Sequence, residues 1–164
     1  MISTLSTFTI VHVVISLIGI ASGLVVLFGL LVARKLNRWS ALFLISTTAT
    51  SVTGFFFPFH GVTPAIIVGV ISLVVLAVAI IARYVRRLAG SWRWIYVVTV
   101  MVALYLNVFV LIVQLFQKVP ALKALAPTQS EPPFAVTQLV VLALFVVLTI
   151  MAAIKFRGEQ LRRA

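Results

Sequence analysis

The sequence predicts an all-α integral membrane helix bundle of about five transmembrane helices, with the N-terminus outside and the C-terminus cytoplasmic. Three observations lead there. The 164 residues are 63% hydrophobic and only 9% charged, with a mean hydropathy of +1.28. A soluble domain is nearer half apolar and one quarter charged, so most of this chain needs lipid as its solvent. The apolar residues also run in stretches of about 20 or more, the length a helix needs to cross a bilayer, and the charges are confined to the joins between them.

The spans are taken in chain order. Span 9–33 is free of charge up to Arg34. No basic region or small-residue cleavage pattern precedes it, so it is expected to be retained rather than removed as a signal peptide. Span 40–59 is the most polar, with Ser46, Thr47, Thr48, Thr50, Ser51 and Thr53. Its apolar ends and lack of charge still favour crossing. Span 64–88 opens on Thr63 and Pro64, a cap followed by a proline whose missing N–H would have had no partner. Pro58 disfavours helix at Phe57, so spans two and three are expected to form a tight antiparallel hairpin with His60 at its tip. Spans 93–117 and 133–155 complete the set, separated by an outer loop at 118–132. In that loop TQSE, residues 128–131, matches a capping box. Pro132 and Pro133 would then occupy the fourth and fifth helical positions, so Ser130 is the better cap, with Glu131 at the positive helix end. PALKALA, residues 120–126, reads as a short helix on the outer surface. The whole chain is read as one transmembrane domain.

Basic residues set the orientation. Arg34, Lys35, Arg38, Arg83, Arg86, Arg87, Arg93, Lys155, Arg157, Arg162 and Arg163 all fall on one side. These are eleven of the thirteen, and only Lys118 and Lys123 fall on the other. Cationic loops stay in the cytoplasm. Trp39, Trp92 and Trp94 sit at the same boundary, where indoles favour headgroups.

Several functions are excluded. The net charge of +11 does not point to nucleic acid, because the charges lie only between apolar runs. Without cysteine there is no disulfide, thiolate metal site or covalent haem. The only acids, Glu131 and Glu159, lie outside the spans, which argues against pumping through an intramembrane carboxylate. No HExxH, GxSxG or phosphate loop is present, and no enzyme is expected.

The remaining signal is polar stripes at helical spacing. Span one carries His12, Ser16, Gly19 and Gly23, the glycines forming a GxxxG pair that lets backbones approach closely. Span two carries Ser46, Thr50 and Thr53 on one face. Ser16, Gly19, Gly23, Ser46, Thr50 and Thr53 are read as helix-packing residues. Span four carries Tyr96, Thr99, Ala103, Asn107, Gln114 and Gln117, too many polar groups to face lipid. They face the bundle, a partner or a cavity. His12, His60, Asn107, Gln114, Gln117, Glu131 and Gln138 converge towards the outer face and are the candidate cavity lining. His60 alone also reads as a polar end marker at the headgroups.

The segments SVTGFFFPFH, LYLNVF and APTQSEPPF resemble those of small uncharacterised bacterial multi-pass inner-membrane proteins. The resemblance carries no named family, ligand or activity.

The expected protein is therefore a small multi-pass membrane protein with an outer-facing polar cavity, self-associating, that binds or passively conducts a small solute or ion. One alternative is a non-catalytic assembly or accessory subunit. Another is a membrane redox protein holding haem or a metal between His12 and His60; otherwise no cofactor is expected. The expected partners are the lipid bilayer and a second copy or a partner membrane subunit, not nucleic acid. The location is the cell (inner) membrane if the source is bacterial.

Overall fold

A computed structural model describes residues 2–58, 61 and 63–163, with side chains from residue 7 to residue 156 among them. The described residues form helices and their connecting turns. They are α1 (Ile2–Leu31), α2 (Asn37–Gly54), α3 (Pro64–Ile80) continued by a wide π turn (Ile81–Val85), α4 (Trp92–Lys118), the short α5 (Pro120–Leu125) and α6 (Pro132–Arg163). Among the described residues, four stretches are long and apolar enough to cross a bilayer: Thr7–Leu31, Pro64–Val85, Trp92–Lys118 and Pro132–Phe156. The chain is a helical, multi-pass integral membrane protein.

α2, the most polar of the five expected spans, is not among these four. It has 18 residues, begins at Asn37 and Arg38, and carries the Ser/Thr run. It nevertheless runs antiparallel along α1. A Cβ on Gly23 would meet Phe43, one on Gly19 would meet Thr47, and the His12 ring reaches Thr53. Two of its hydroxyls bond back to its own carbonyls, Ser46 Oγ to Leu42 O at 2.7 Å and Thr53 Oγ1 to Ala49 O at 2.7 Å. That pairing lets a polar helix live inside the bundle.

Two helix ends differ from their expected positions, each for a local reason. α2 stops at Gly54 rather than 59. The N–H groups of Phe55, Phe56 and Phe57 bond to the carbonyls of Val52, Thr53 and Gly54, a tightened last turn that finishes before Pro58. α3 leaves α geometry after Ile80, and Arg86 N–H closes the wide turn on Ile81 O at 2.9 Å. The start of α3 follows the cap chemistry: the Thr63 hydroxyl accepts from Ile66 N–H at 3.4 Å, with Pro64 at the first position. α6 begins at Pro132, one residue later than a Ser130 cap implies. The Glu131 carboxylate turns back to Thr128 N–H at 3.2 Å, so the reciprocal arm of a capping box forms outside the helix.

α4 is the central helix. It packs against α1, α3 and α6, while α2 fills the space between α1 and α3. Its Tyr96, Val97, Val100, Met101 and Leu104 are buried with Phe43, Val26, Leu76 and Phe145. This core occupies the half of the bundle nearer the arginine-rich end. α3 and α6 turn apolar faces outwards, including Val70, Val74, Leu139 and Val147, as lipid-facing helices do. α5 folds back on the other end, where Ala126 is buried against Ile112 and Phe116.

The close approach of α1 to α4 and α2 depends on the two glycines. A Cβ at Gly23 would lie 2.5 Å from Leu104 Cδ1 and 2.8 Å from Phe43 Cε2. One at Gly19 would lie 3.1 Å from both Asn107 Nδ2 and Thr47 Oγ1. The GxxxG pair therefore serves an internal crossing and is not left to dock a second copy.

α1 ends in a left-handed turn at Ala33, φ 56°, with Arg34 N–H bonded to Gly29 O at 2.7 Å. This position normally takes glycine. Ala33→Gly is expected to stabilise the bundle by roughly 0.5–1 kcal/mol, read as a raised thermal midpoint in detergent. A lowered midpoint would show that the turn carries no strain.

At the arginine-rich end the wide turn presents Arg83 to two other helices. Its guanidinium donates to Asn37 Oδ1 at 2.7 Å and to the Tyr96 hydroxyl at 3.1 Å. It also lies 5.2 Å from the Tyr96 ring centre. Arg86 stands over Trp92 at 5.1 Å and Arg93 over Phe156 at 5.6 Å. The expected headgroup belt is thus partly built into the bundle.

Candidate functional site: a cavity between the first four helices

Below the Gly19–Gly23 crossing the helices touch. On the other side of it, towards His12 and Lys118, a cavity of about 480 Å³ opens between α1, α2, α3 and α4. Its depth can be followed along α4, where Asn107, Leu111, Gln114 and Lys118 recur at steps of four, three and four. Eleven residues of helix span about 16 Å. α1 contributes His12, Ser16 and Leu17, α2 contributes Thr50, and α3 contributes Gly69 and Ser72.

The polar groups are arranged in layers. His12 lies level with the end of α2. Thr53 gives its hydroxyl hydrogen to Ala49 O, so it accepts from His12 Nδ1–H at 2.8 Å. That bond selects the Nδ1–H form and leaves Nε2 as the ring's acceptor. Phe57 holds the ring edge-on at 5.0 Å. One turn deeper, Ser16 Oγ donates to His12 O at 2.8 Å. The Thr50 hydroxyl oxygen is buried there without a hydrogen-bond partner. At the floor, Asn107 Nδ2 points to Thr47 Oγ1 at 3.4 Å, across the space that Gly19 leaves. The next layer, Gly23 with Phe43 and Leu104, is fully packed.

Of the candidate lining residues, His12, Asn107 and Gln114 share this cavity. Ser16 and Thr50, read as packing residues, line it as well, and Thr53 fixes His12 from behind. Gln117, Glu131 and Gln138 lie elsewhere. Gln117 Nε2 meets Gln129 Oε1 at 3.4 Å, and Gln129 Nε2 reaches Val113 O at 2.9 Å, which ties the loop to α4. Gln138 is buried in the α4–α6 seam, donating to Phe109 O at 3.3 Å. Glu131 braces the loop through Thr128 and Ser130. Slight desolvation pushes its carboxyl up, but the Thr128 hydroxyl and nearby backbone N–H groups outweigh that and hold it below the usual carboxylate range. Its bracing is therefore present at neutral pH and is lost as acidity protonates the carboxylate. His60 lies outside the described residues, and the proposed sharing of a site by His12 and His60 with it.

Lys118, an outer-end basic residue in the sequence that is not among the candidate lining residues, lines the cavity mouth. Its signal was present in the sequence: it continues the Asn107–Gln114 spacing by four residues. The sequence marks Arg83 only as a basic residue at a join. Its pairing with Asn37 and Tyr96 has no local signature, since the partners lie 46 and 13 residues away.

No protein-family model matches the chain, and no curated protein or solved structure compared with it matches either.

Proposed function

We propose that the protein is a membrane-embedded binding protein whose cavity opens to the outside and takes a small solute. The observation that carries this reading is the convergence of His12, Gln114, Asn107, Thr50 and Lys118 on one cavity of about 480 Å³. That volume lies in the range of ligand sites, which combine apolar walls with a few placed polar groups. The eleven basic residues near the opposite end support a cytoplasmic assignment for that end, and so an outward mouth. The packed Gly23–Phe43–Leu104 layer beneath the floor supports binding over passive conduction. A second copy or partner subunit would meet the outward apolar faces of α3 and α6 rather than the GxxxG pair. The resemblance to bacterial inner-membrane proteins supports the cell membrane as the location.

The chain has no cysteine, so single-cysteine variants report position directly. Gln114→Cys and Ser16→Cys are expected to react with a membrane-impermeant thiol reagent added outside, and Leu104→Cys with reagent from neither side. A reporter fused after Ala164 is expected to be active in the cytoplasm. Labelling of Gln114→Cys from the cytoplasmic side alone, or no labelling of either cavity position, would overturn the reading.

A further inference from the structure

The proposed binding role leaves the ligand's chemistry open, and the way the polar groups are spent narrows it. Near the floor, two of the polar side chains are already committed within the bundle. Ser16 donates to His12 O, and Asn107 donates to Thr47. The deep wall between them is mainly apolar, made by Leu17, Ile20, Val110 and Leu111, broken only by the scattered single hydroxyls of Thr50, Ser51 and Ser72. At the mouth the situation reverses. Lys118, Gln114 and the Nε2 atom of His12 lie at the outermost two layers of the cavity, and among the described residues none hydrogen-bonds to them. Among the described lining residues there is one fixed positive charge and no carboxylate.

A fully polar solute would lose its hydration against the deep wall with little to replace it. A cation would meet Lys118 and no counter-charge. We infer that the ligand is a single-chain amphiphile with one anionic head, the head held by Lys118 and Gln114 and the chain running inwards towards Asn107. This rests on the binding role proposed above. A free carboxylic or phosphoric amphiphile and one chain of an anionic outer-leaflet phospholipid share this chemistry.

The test uses the full-length protein in phosphatidylcholine nanodiscs and two photoactivatable probes, a diazirine-bearing dodecanoate and the matching dodecanol. Adducts are mapped by peptide mass spectrometry. The dodecanoate probe is expected to label the cavity walls on α1 and α4, and unlabelled dodecanoate to compete. Lys118→Gln is expected to reduce that labelling about tenfold or more, as losing a charge-assisted contact does, while Lys118→Arg retains it. Adding phosphatidylglycerol separates the two sources: competition points to a bilayer lipid's chain, and its absence to a free acid. Equal labelling by dodecanol, or unchanged labelling in Lys118→Gln, would overturn the anionic head while leaving the cavity a binding site. Adducts confined to the lipid-facing sides of α3 and α6 would overturn the inference outright. The cysteine experiment then reports independently whether the binding role falls too.

Discussion

Gly23→Val is expected to lower the stability of the bundle by about 3 kcal/mol, the upper end for forcing atoms into a packed core. Its first added carbon would stand 2.5 Å from Leu104 Cδ1 and 2.8 Å from Phe43, both fully buried side chains with nowhere to move. Gly19→Ala should be milder, because its nearest neighbours at 3.1 Å are the tips of Asn107 and Thr47. Thermal unfolding in detergent measures both. A Gly23→Val variant that melts like the native protein would mean that α1 and α4 do not cross at this point, and the floor of the cavity would have to be placed elsewhere.

The second large effect is expected at the opposite end. Arg83→Leu removes the donor shared by Asn37 and Tyr96 and should cost about 2 kcal/mol, the scale of a hydrogen bond to a charged group. Tyr96 is buried, so its hydroxyl loses its guanidinium donor away from solvent. Arg83→Lys keeps the charge but not the planar fork and should fall between the two. Combining Arg83→Leu with Tyr96→Phe in a double-mutant cycle isolates the pair, and full additivity would show that the two side chains do not interact.

Much of this architecture was legible in the chain. Helical periodicity and apolar length marked the long helices, and Thr63–Pro64 marked a start that the structure uses. The GxxxG pair correctly signalled a close crossing, but the sequence has no way of saying against which helix. The cavity was legible in part for a geometric reason. Asn107, Gln114 and Lys118 stay within about 20–40° of one another around α4, whereas Gln117 is rotated by about 80° from Asn107 and meets the loop instead. Gln138 sits on α6, whose placement behind α4 no local pattern encodes. The early end of α2 was hidden because three phenylalanines continue the apolar run past Gly54 while the backbone tightens towards Pro58.

The glycine crossing divides the bundle by depth in a way that bears on its local stability. On the arginine-rich side, side chains from α1, α2, α3, α4 and α6 interlock around a continuous core. On the His12 side, α1, α2, α3 and α4 are held apart by a space that the described residues do not fill. Cooperative opening is drawn to regions with few buried contacts, so the outer tier can fluctuate while the inner tier stays closed. An occupant would then act as a removable piece of core. By mass action it would raise the local unfolding free energy of the outer tier by an amount set by its concentration over its dissociation constant, leaving the inner tier nearly as it was.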